Sequence, residues 1–407
     1  MNDREANIIS RIDELAAISE DDTGITRRYG TPAAIEAGNK VLEWMRNAGL
    51  ETKTDAIGNL RGRWPAKDPH AKTLVIASHL DTVVNAGRWD GPLGVLTGLE
   101  ILETIARQNR ELPFHLDLIA FCDEEGVRFH TTYLGSKVVA GSFDPQTLQR
   151  KDEQGITLKE AILAIGGNPD KLSAEATAPD QWLGYFELHI EQGPILYEKK
   201  IPVAPVTAIA GQIRAEAVFT GMAGHAGTVP MDMRQDALCG AAEFILAAER
   251  LAKVKGVLIT VGKLQLANAA SNVIPGETTC SIDLRSADQG ALTAIHEELR
   301  RTSAGIAGQR GLTHRWEIIQ SSPPVSCDPH LTALLSACVA SAGYETLQLV
   351  SGAGHDAVPL SAVSPVCMLF VRCFKGISHN PLEAVEKNDL AAALAVAESF
   401  IFKLAEI

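Results

Sequence analysis

Over the first half of the 407-residue chain, stretches with helical spacing alternate with short apolar runs, and this order narrows the fold more than any other feature. Helical spacing covers about residues 32–48, an apolar run 74–78, helical spacing again 94–107, and a second apolar run 115–121. Such alternation predicts an α/β domain on a largely parallel sheet, with ligands at the carboxyl ends of the strands. From about residue 209 to 320 the order changes. A strand at 212–220 precedes a long amphipathic helix at 232–253, strands at 256–265 and 278–283, a helix at 291–304 and a strand at 313–319. This β-α-β-β-α-β order is the ferredoxin-like signature. Pro323 and Pro324 mark its end, and a helix at 331–342 and an apolar strand at 366–371 resume the first pattern. A large discontinuous domain, 1–208 with 322–407, is therefore expected to carry an inserted domain at 209–321.

Charge narrows the partners. Fifty acidic residues against thirty-seven basic ones give a net charge of −13, which opposes attraction to nucleic-acid backbones. A few arginines in a cleft can still receive a small anion, because they set the local field. No apolar run approaches the roughly 18 residues a membrane helix needs. The first twenty residues mix Asp3, Arg4, Glu5, Arg11, Asp13 and Glu14 with apolar positions at helical spacing, so a mature cytoplasmic start is expected. Seven cysteines without a CxxC pair, mostly in apolar segments, read as buried thiols in a reducing compartment.

Residues able to do chemistry stand at the strand ends. The run 74–78 leads into His79-Leu80-Asp81, and Asp90-Gly91 follows. Taken alone, His-x-Asp also reads as a capping aspartate beside a satisfied histidine. The run 115–121 leads into Cys122-Asp123-Glu124-Glu125-Gly126, where consecutive carboxylates are costly unless they face water or a cation. His189 sits among acids in Phe186-Glu187-Leu188-His189-Ile190-Glu191-Gln192-Gly193-Pro194, and His379 lies in the loop Gly376-Ile377-Ser378-His379-Asn380-Pro381. Together these segments supply imidazole and carboxylate donors suited to zinc, manganese or cobalt, in numbers that fit two ions about 3.5–4 Å apart.

These segments resemble the M20 metallopeptidase-type amidohydrolases, in the branch of N-carbamoyl-L-amino-acid, ureidoglycolate and allantoate amidohydrolases. The resemblance runs from about Tyr29 to Leu394. It is carried by Ser78-His79-Leu80-Asp81-Thr82-Val83-Val84-Asn85, Glu124-Glu125-Gly126-Val127-Arg128-Phe129, Gly224-His225-Ala226-Gly227-Thr228-Val229-Pro230-Met231 and Ser351-Gly352-Ala353-Gly354-His355-Asp356-Ala357. The last two are most similar to allantoate or ureidoglycolate enzymes.

The resemblance implies a zinc-peptidase-like catalytic domain with an inserted lid or dimerisation domain, two divalent ions per subunit, and a homodimer. It implies that His79, Asp90, Glu125, His189 and His379 are the metal ligands, with Asp90 shared. Glu124 would be the general base, Asp81 would hold the His79 ring by accepting its other N–H, and His225 would stabilise the oxyanion from its own or the neighbouring subunit. Asn272 and Arg285 would clamp a substrate carboxylate. Gln212 and His355 are further candidates for substrate contact, and Asp356 for holding its loop. The implied reaction is hydrolysis of a ureido C–N bond, with allantoate favoured over N-carbamoyl-L-amino acids and ureidoglycolate. Dipeptidase or aminopeptidase activity stands further off, because peptidase branches tend to have an acidic residue at the position of His189.

Overall fold

Burial on both faces marks the centre of the large sheet. In the computed structural model, which describes residues 3–407, every residue of β3 (Thr73–His79) and β4 (His115–Phe121) is buried, as is every residue of the strand Val366–Val371. Runs without apolar–polar alternation suit strands covered on both sides. The charge inside β4, Asp117, is forked by Arg63, with Nε donating at 2.7 Å and Nη2 at 2.9 Å.

These strands belong to a unit that runs to Thr207 and resumes at Cys327. With β1 (Glu51–Thr54), β2 (Leu60–Trp64), β5 (Trp182–Ile190) and β6 (Val203–Ile209), the sheet order is β1-β2-β4-β3-β5, then Val366–Val371, then β6. The four central strands β4, β3, β5 and Val366–Val371 are parallel, and antiparallel strands flank them. The parallel sheet expected from the alternation is thus present. The helix Pro92–Arg107 is buried from Pro92 to Ile105. Gly94 lets it approach the sheet, since a Cβ there would lie 2.3 Å from the Leu188 carbonyl oxygen.

The second unit spans Ala208–Ser326. Its sheet holds β7 (Gly211–Thr220), β9 (Leu258–Thr260), β10 (Leu264–Leu266), β12 (Glu277–Ser286) and β13 (Thr313–Ser322), in the order β13-β7-β12 with β10 and β9 both on β12. All pairs are antiparallel, and two interleaved crossovers give the ferredoxin-like arrangement. Ile213, Ala215, Ala217, Phe219, Ile282 and Leu284 form a core with Phe244 and Leu292 of the helices Ala237–Lys255 and Gln289–Gln309. A separate two-stranded ribbon pairs β8 (Gly224–His225) with β11 (Val273–Ile274).

Two expectations shift. The strand expected at 256–265 is split into β9 and β10, which pair with opposite ends of β12 and leave Val261–Lys263 off the ladder. The helix expected from residue 232 starts at Ala237, because the Asp236 side chain caps it by accepting from the Cys239 N–H, and Met231–Met233 forms its own short turn.

Candidate metal centre

Four parallel strands deliver the candidate ligands to one end of the sheet. His79 closes β3, Glu124 and Glu125 follow β4, His189 lies one residue before the end of β5, and His379 sits in the loop after Val366–Val371. Asp90 lies between β3 and the helix Pro92–Arg107, and its position depends on Gly91. At φ +86°, in a conformation that favours glycine, a Cβ on Gly91 would meet the His79 ring at 2.6 Å.

Two donor triads share Asp90. On one side His79 Nε2 and His189 Nε2 lie 3.4 and 3.2 Å from Asp90 Oδ1. On the other, His379 Nε2 lies 3.4 Å from Asp90 Oδ2 and 3.2 Å from Glu125 Oε1. His79, His189 and Asp90 are buried, whereas His379 is 46% exposed and marks the solvent side. His79 Nδ1 is 3.0 Å from the Asp81 main-chain oxygen, and His189 Nδ1 is 3.0 Å from that of Ile190. Those bonds assign the proton to Nδ1 in the neutral rings and turn each Nε2 lone pair toward a carboxylate oxygen. Lone pairs facing a buried oxygen, Asp90 Oδ1, that has no hydrogen-bond donor fit a divalent cation between them.

Without a cation, the clustered carboxylates favour protonated imidazoles. Burial raises the Asp90 carboxyl, but His189 and His79 outweigh it and hold the group well below the carboxylate range. Burial lowers His79, yet the adjacent Asp90 carboxylate and the charges of Glu124 and Asp81 carry it well above the usual imidazole value. His189 is raised in the same way, the carboxylate of Asp90 overcoming burial. His379 is raised to about 9, first by its bond to Glu125. Glu124 is buried, and desolvation, opposed by His79 and reinforced by Glu125, pushes it well above the usual carboxyl range. A buried carboxyl with a raised value is of the kind that takes and returns a proton.

Asp81 departs from its expected role. Its main-chain oxygen, not its carboxylate, meets His79 Nδ1, and the nearer carboxylate oxygen stands 3.8 Å from that nitrogen. The carboxylate instead accepts the Glu124 N–H at 3.0 Å and the Glu125 N–H at 3.1 Å. It therefore fixes the turn that carries both glutamates. Asp123 enters that turn at φ +53° with one carboxylate oxygen buried and unbonded.

Three further residues hold Asp90 that no sequence motif marks as ligands. Ser378 Oγ donates to Asp90 Oδ2 at 2.6 Å, Gln192 Nε2 donates to the same oxygen at 2.7 Å, and Glu383 Oε2 accepts the Trp89 and Asp90 N–H groups at 2.6 and 3.0 Å. The available signal was adjacency, since Gln192 and Ser378 lie close in sequence to His189 and His379.

The other expected residues are distributed between the two units. His355 is buried in the unit of the metal centre, edge-on to His189 at 4.6 Å between ring centroids, with Nε2 2.8 Å from Ser351 Oγ. Asp356 is bonded by Ser136 Oγ and keeps one oxygen buried without a partner. In the second unit, Arg285 and Gln212 converge on Asp283: Arg285 Nε and Nη2 donate at 3.0 and 3.1 Å, and Gln212 Nε2 at 2.8 Å. Asp283 and Arg285 are two apart on β12 and share a face, the spacing that could have revealed the pair. His225 is exposed on β8, with its Nδ1 accepting the Gly227 N–H at 3.1 Å, while the exposed Asn272 accepts the Ala226 N–H through its main-chain oxygen at 3.0 Å.

A carboxylate-bridged donor set at the carboxyl ends of a parallel sheet, with a buried glutamate beside it, defines the class of metal-dependent hydrolases. Comparison with known proteins is narrower. The family model for peptidase family M20/M25/M40 matches residues 75–403, and the chain belongs to that family. It is 37% identical to an allantoate deiminase of Arabidopsis thaliana, over 96% of this chain and 81% of that one. It is 36% identical to an N-carbamoyl-L-amino acid amidohydrolase of Geobacillus stearothermophilus, over 97% of each. The structure of a hydantoinase/carbamoylase-family amidase from Burkholderia multivorans superposes with a TM-score of 0.93 at 32% identity, covering 98% of each chain.

Proposed function

We propose that this protein is a two-metal amidohydrolase that cleaves a ureido C–N bond, with allantoate as its substrate. The observation that carries the reading is the pair of donor triads meeting at Asp90, with Glu124 buried beside them. His79 and His189 would hold one ion, Glu125 and His379 the other, and Asp90 both. Two divalent ions, manganese or zinc with cobalt also suited, would supply Lewis acidity for the ureido carbonyl and lower the pKa of water.

Glu124 takes a proton from the attacking water, whose oxygen bonds to the ureido carbon, and delivers it to the nitrogen as the C–N bond breaks. The carbamate so released decomposes to carbon dioxide and ammonia. Asp81 keeps Glu124 aimed by holding its N–H. Arg285, set by Asp283, and Asn272 receive the substrate carboxylate, with Gln212 and His355 as further substrate contacts, and His225 donates to the developing oxyanion.

Support for allantoate comes from the plant relative named for it. A second reading, N-carbamoyl-L-amino acids, is favoured by the Geobacillus relative, matched over 97% of its length. Ammonia release by the manganese-loaded protein from allantoate, ureidoglycolate and N-carbamoyl-L-amino acids separates them. Turnover of allantoate at the highest kcat/KM is expected, and turnover of carbamoyl amino acids alone overturns the allantoate assignment.

We also propose that the second unit is the lid and dimerisation domain of a homodimer. Exposed Leu258, Leu264 and Leu266 on β9 and β10 are the kind of apolar edge that pairs with another strand. A cytoplasmic location is supported by seven free cysteines, five of them buried. Among the described residues no helix is long and apolar enough to cross a membrane.

A further inference from the structure

Asp90 is held by two separate sets of contacts, and they act on different parts of it. Glu383 reaches the main chain, accepting the N–H groups of Trp89 and Asp90, and so places the whole residue. Gln192 and Ser378 reach only Oδ2, at 2.7 and 2.6 Å, and are joined to each other at 3.3 Å. Oδ1, toward His79 and His189, receives no hydrogen bond from the protein. The protein's side-chain hydrogen bonds to the carboxylate therefore fall on one of its two oxygens.

Gln192 adopts a left-handed backbone at φ +57°, a conformation costly for a residue with a Cβ, and its Oε1 is buried without a partner. Its amide is thus held in place by what its Nε2 donates to. Strain and an unsatisfied acceptor at one side chain are tolerated where the surroundings over-determine it, commonly at functional sites.

We infer that Gln192 and Ser378 are positioning residues for one of the two ions: by fixing Oδ2 they govern binding on the Glu125–His379 side, and leave the His79–His189 side unaffected. The inference rests on the reading of Asp90 as a shared ligand. Loss of groups that orient metal ligands commonly weakens affinity by about 10–100-fold, and here the loss falls on one ion rather than two.

The test titrates metal-free protein with Mn2+ by calorimetry, for the wild type, Gln192→Met and Ser378→Ala, with Ser378→Thr as the variant that keeps the hydroxyl. His379→Asn serves as the reference for the first ion alone, and near-UV circular dichroism confirms folding of each variant. Two ions are expected for the wild type. In Gln192→Met and Ser378→Ala one affinity stays unchanged and the other falls by about tenfold or more, and Ser378→Thr restores it. In the His379→Asn background, Gln192→Met leaves the remaining affinity unaltered. Equal weakening of both ions, or of neither, overturns the inference while the two-metal reading stands. Failure of folded wild type to take up two ions overturns that reading itself. Should Gln192→Met fail to fold, Ser378→Ala, in a loop beside the exposed His379, carries the test.

Discussion

Replacing Asp81 by Asn separates two ways in which this residue can serve the centre. The carboxylate accepts two main-chain N–H groups, from Glu124 and Glu125, and lies buried. Asn retains one acceptor oxygen and turns an NH2 group toward the other N–H, so at least one charge-assisted bond is lost. Such a bond contributes about 1.5–3 kcal/mol. If the loss falls on the orientation of Glu124 in the transition state, a tenfold change per 1.36 kcal/mol converts it to a drop of roughly 10- to 150-fold in kcat. The ion on the His79 side should be retained, because the His79 ring is oriented by the main-chain oxygen of residue 81, which the substitution leaves intact. The assay pairs steady-state kinetics with metal analysis of the same preparation. An Asp81→Asn protein that loses the ion on the His79 side, or one with both ions and wild-type kcat, refutes the argument that the carboxylate acts on the glutamate turn.

Glu124→Gln should abolish turnover while two ions remain bound, and retained activity would remove Glu124 from proton transfer. Arg285→Lys cannot reproduce the two-point bond to Asp283, so KM for an anionic ureido substrate should rise about tenfold while kcat stays within a fewfold; an unchanged KM counts against the clamp. Acidification should loosen the second unit. His296 Nε2 accepts from Trp316 Nε1 at 3.1 Å, and burial lowers His296 and His314 below the usual imidazole value, with Glu297 opposing the shift at His296 and Arg300 reinforcing it at both. A depressed folded-state value means that the unfolded chain binds protons first, so this stability is complete above about pH 6.5 and declines as pH falls through the folded-state values. Trp316 fluorescence followed during urea unfolding should show a lower midpoint at pH 5.5 than at pH 7.5, and equal midpoints would contradict the neutral-imidazole contact.

The strands His115–Phe121 and Val366–Val371 were legible to the residue, because short, largely apolar runs leading into segments that carry acids or histidine have few other uses in an α/β chain. The interruption at 261–263 was not, since only pairing with β12 decides which residues of that stretch join a ladder. At the metal centre, histidines and acids at strand ends drew attention as residue types. Their partners depended on distances that no local pattern encodes. Whether Asp81 meets His79 through its carboxylate or its carbonyl turns on an ångström of main-chain geometry. Gln192, Ser378 and Glu383 are ordinary polar residues until the fold brings them within 3 Å of Asp90. Asp283 stands two residues before Arg285 on one face of a strand, and strand alternation is the signal that pairs them.

Elemental analysis of the folded wild-type protein, run alongside hydrolysis before and after chelation, bears on all of this at once. Two transition-metal ions per chain, activity lost with their removal and restored by manganese or zinc, is the expected result. A protein that carries no tightly held metal after reconstitution, or that hydrolyses its substrate as fast when stripped, contradicts the assignment of His79, Asp90, Glu125, His189 and His379 as its working centre.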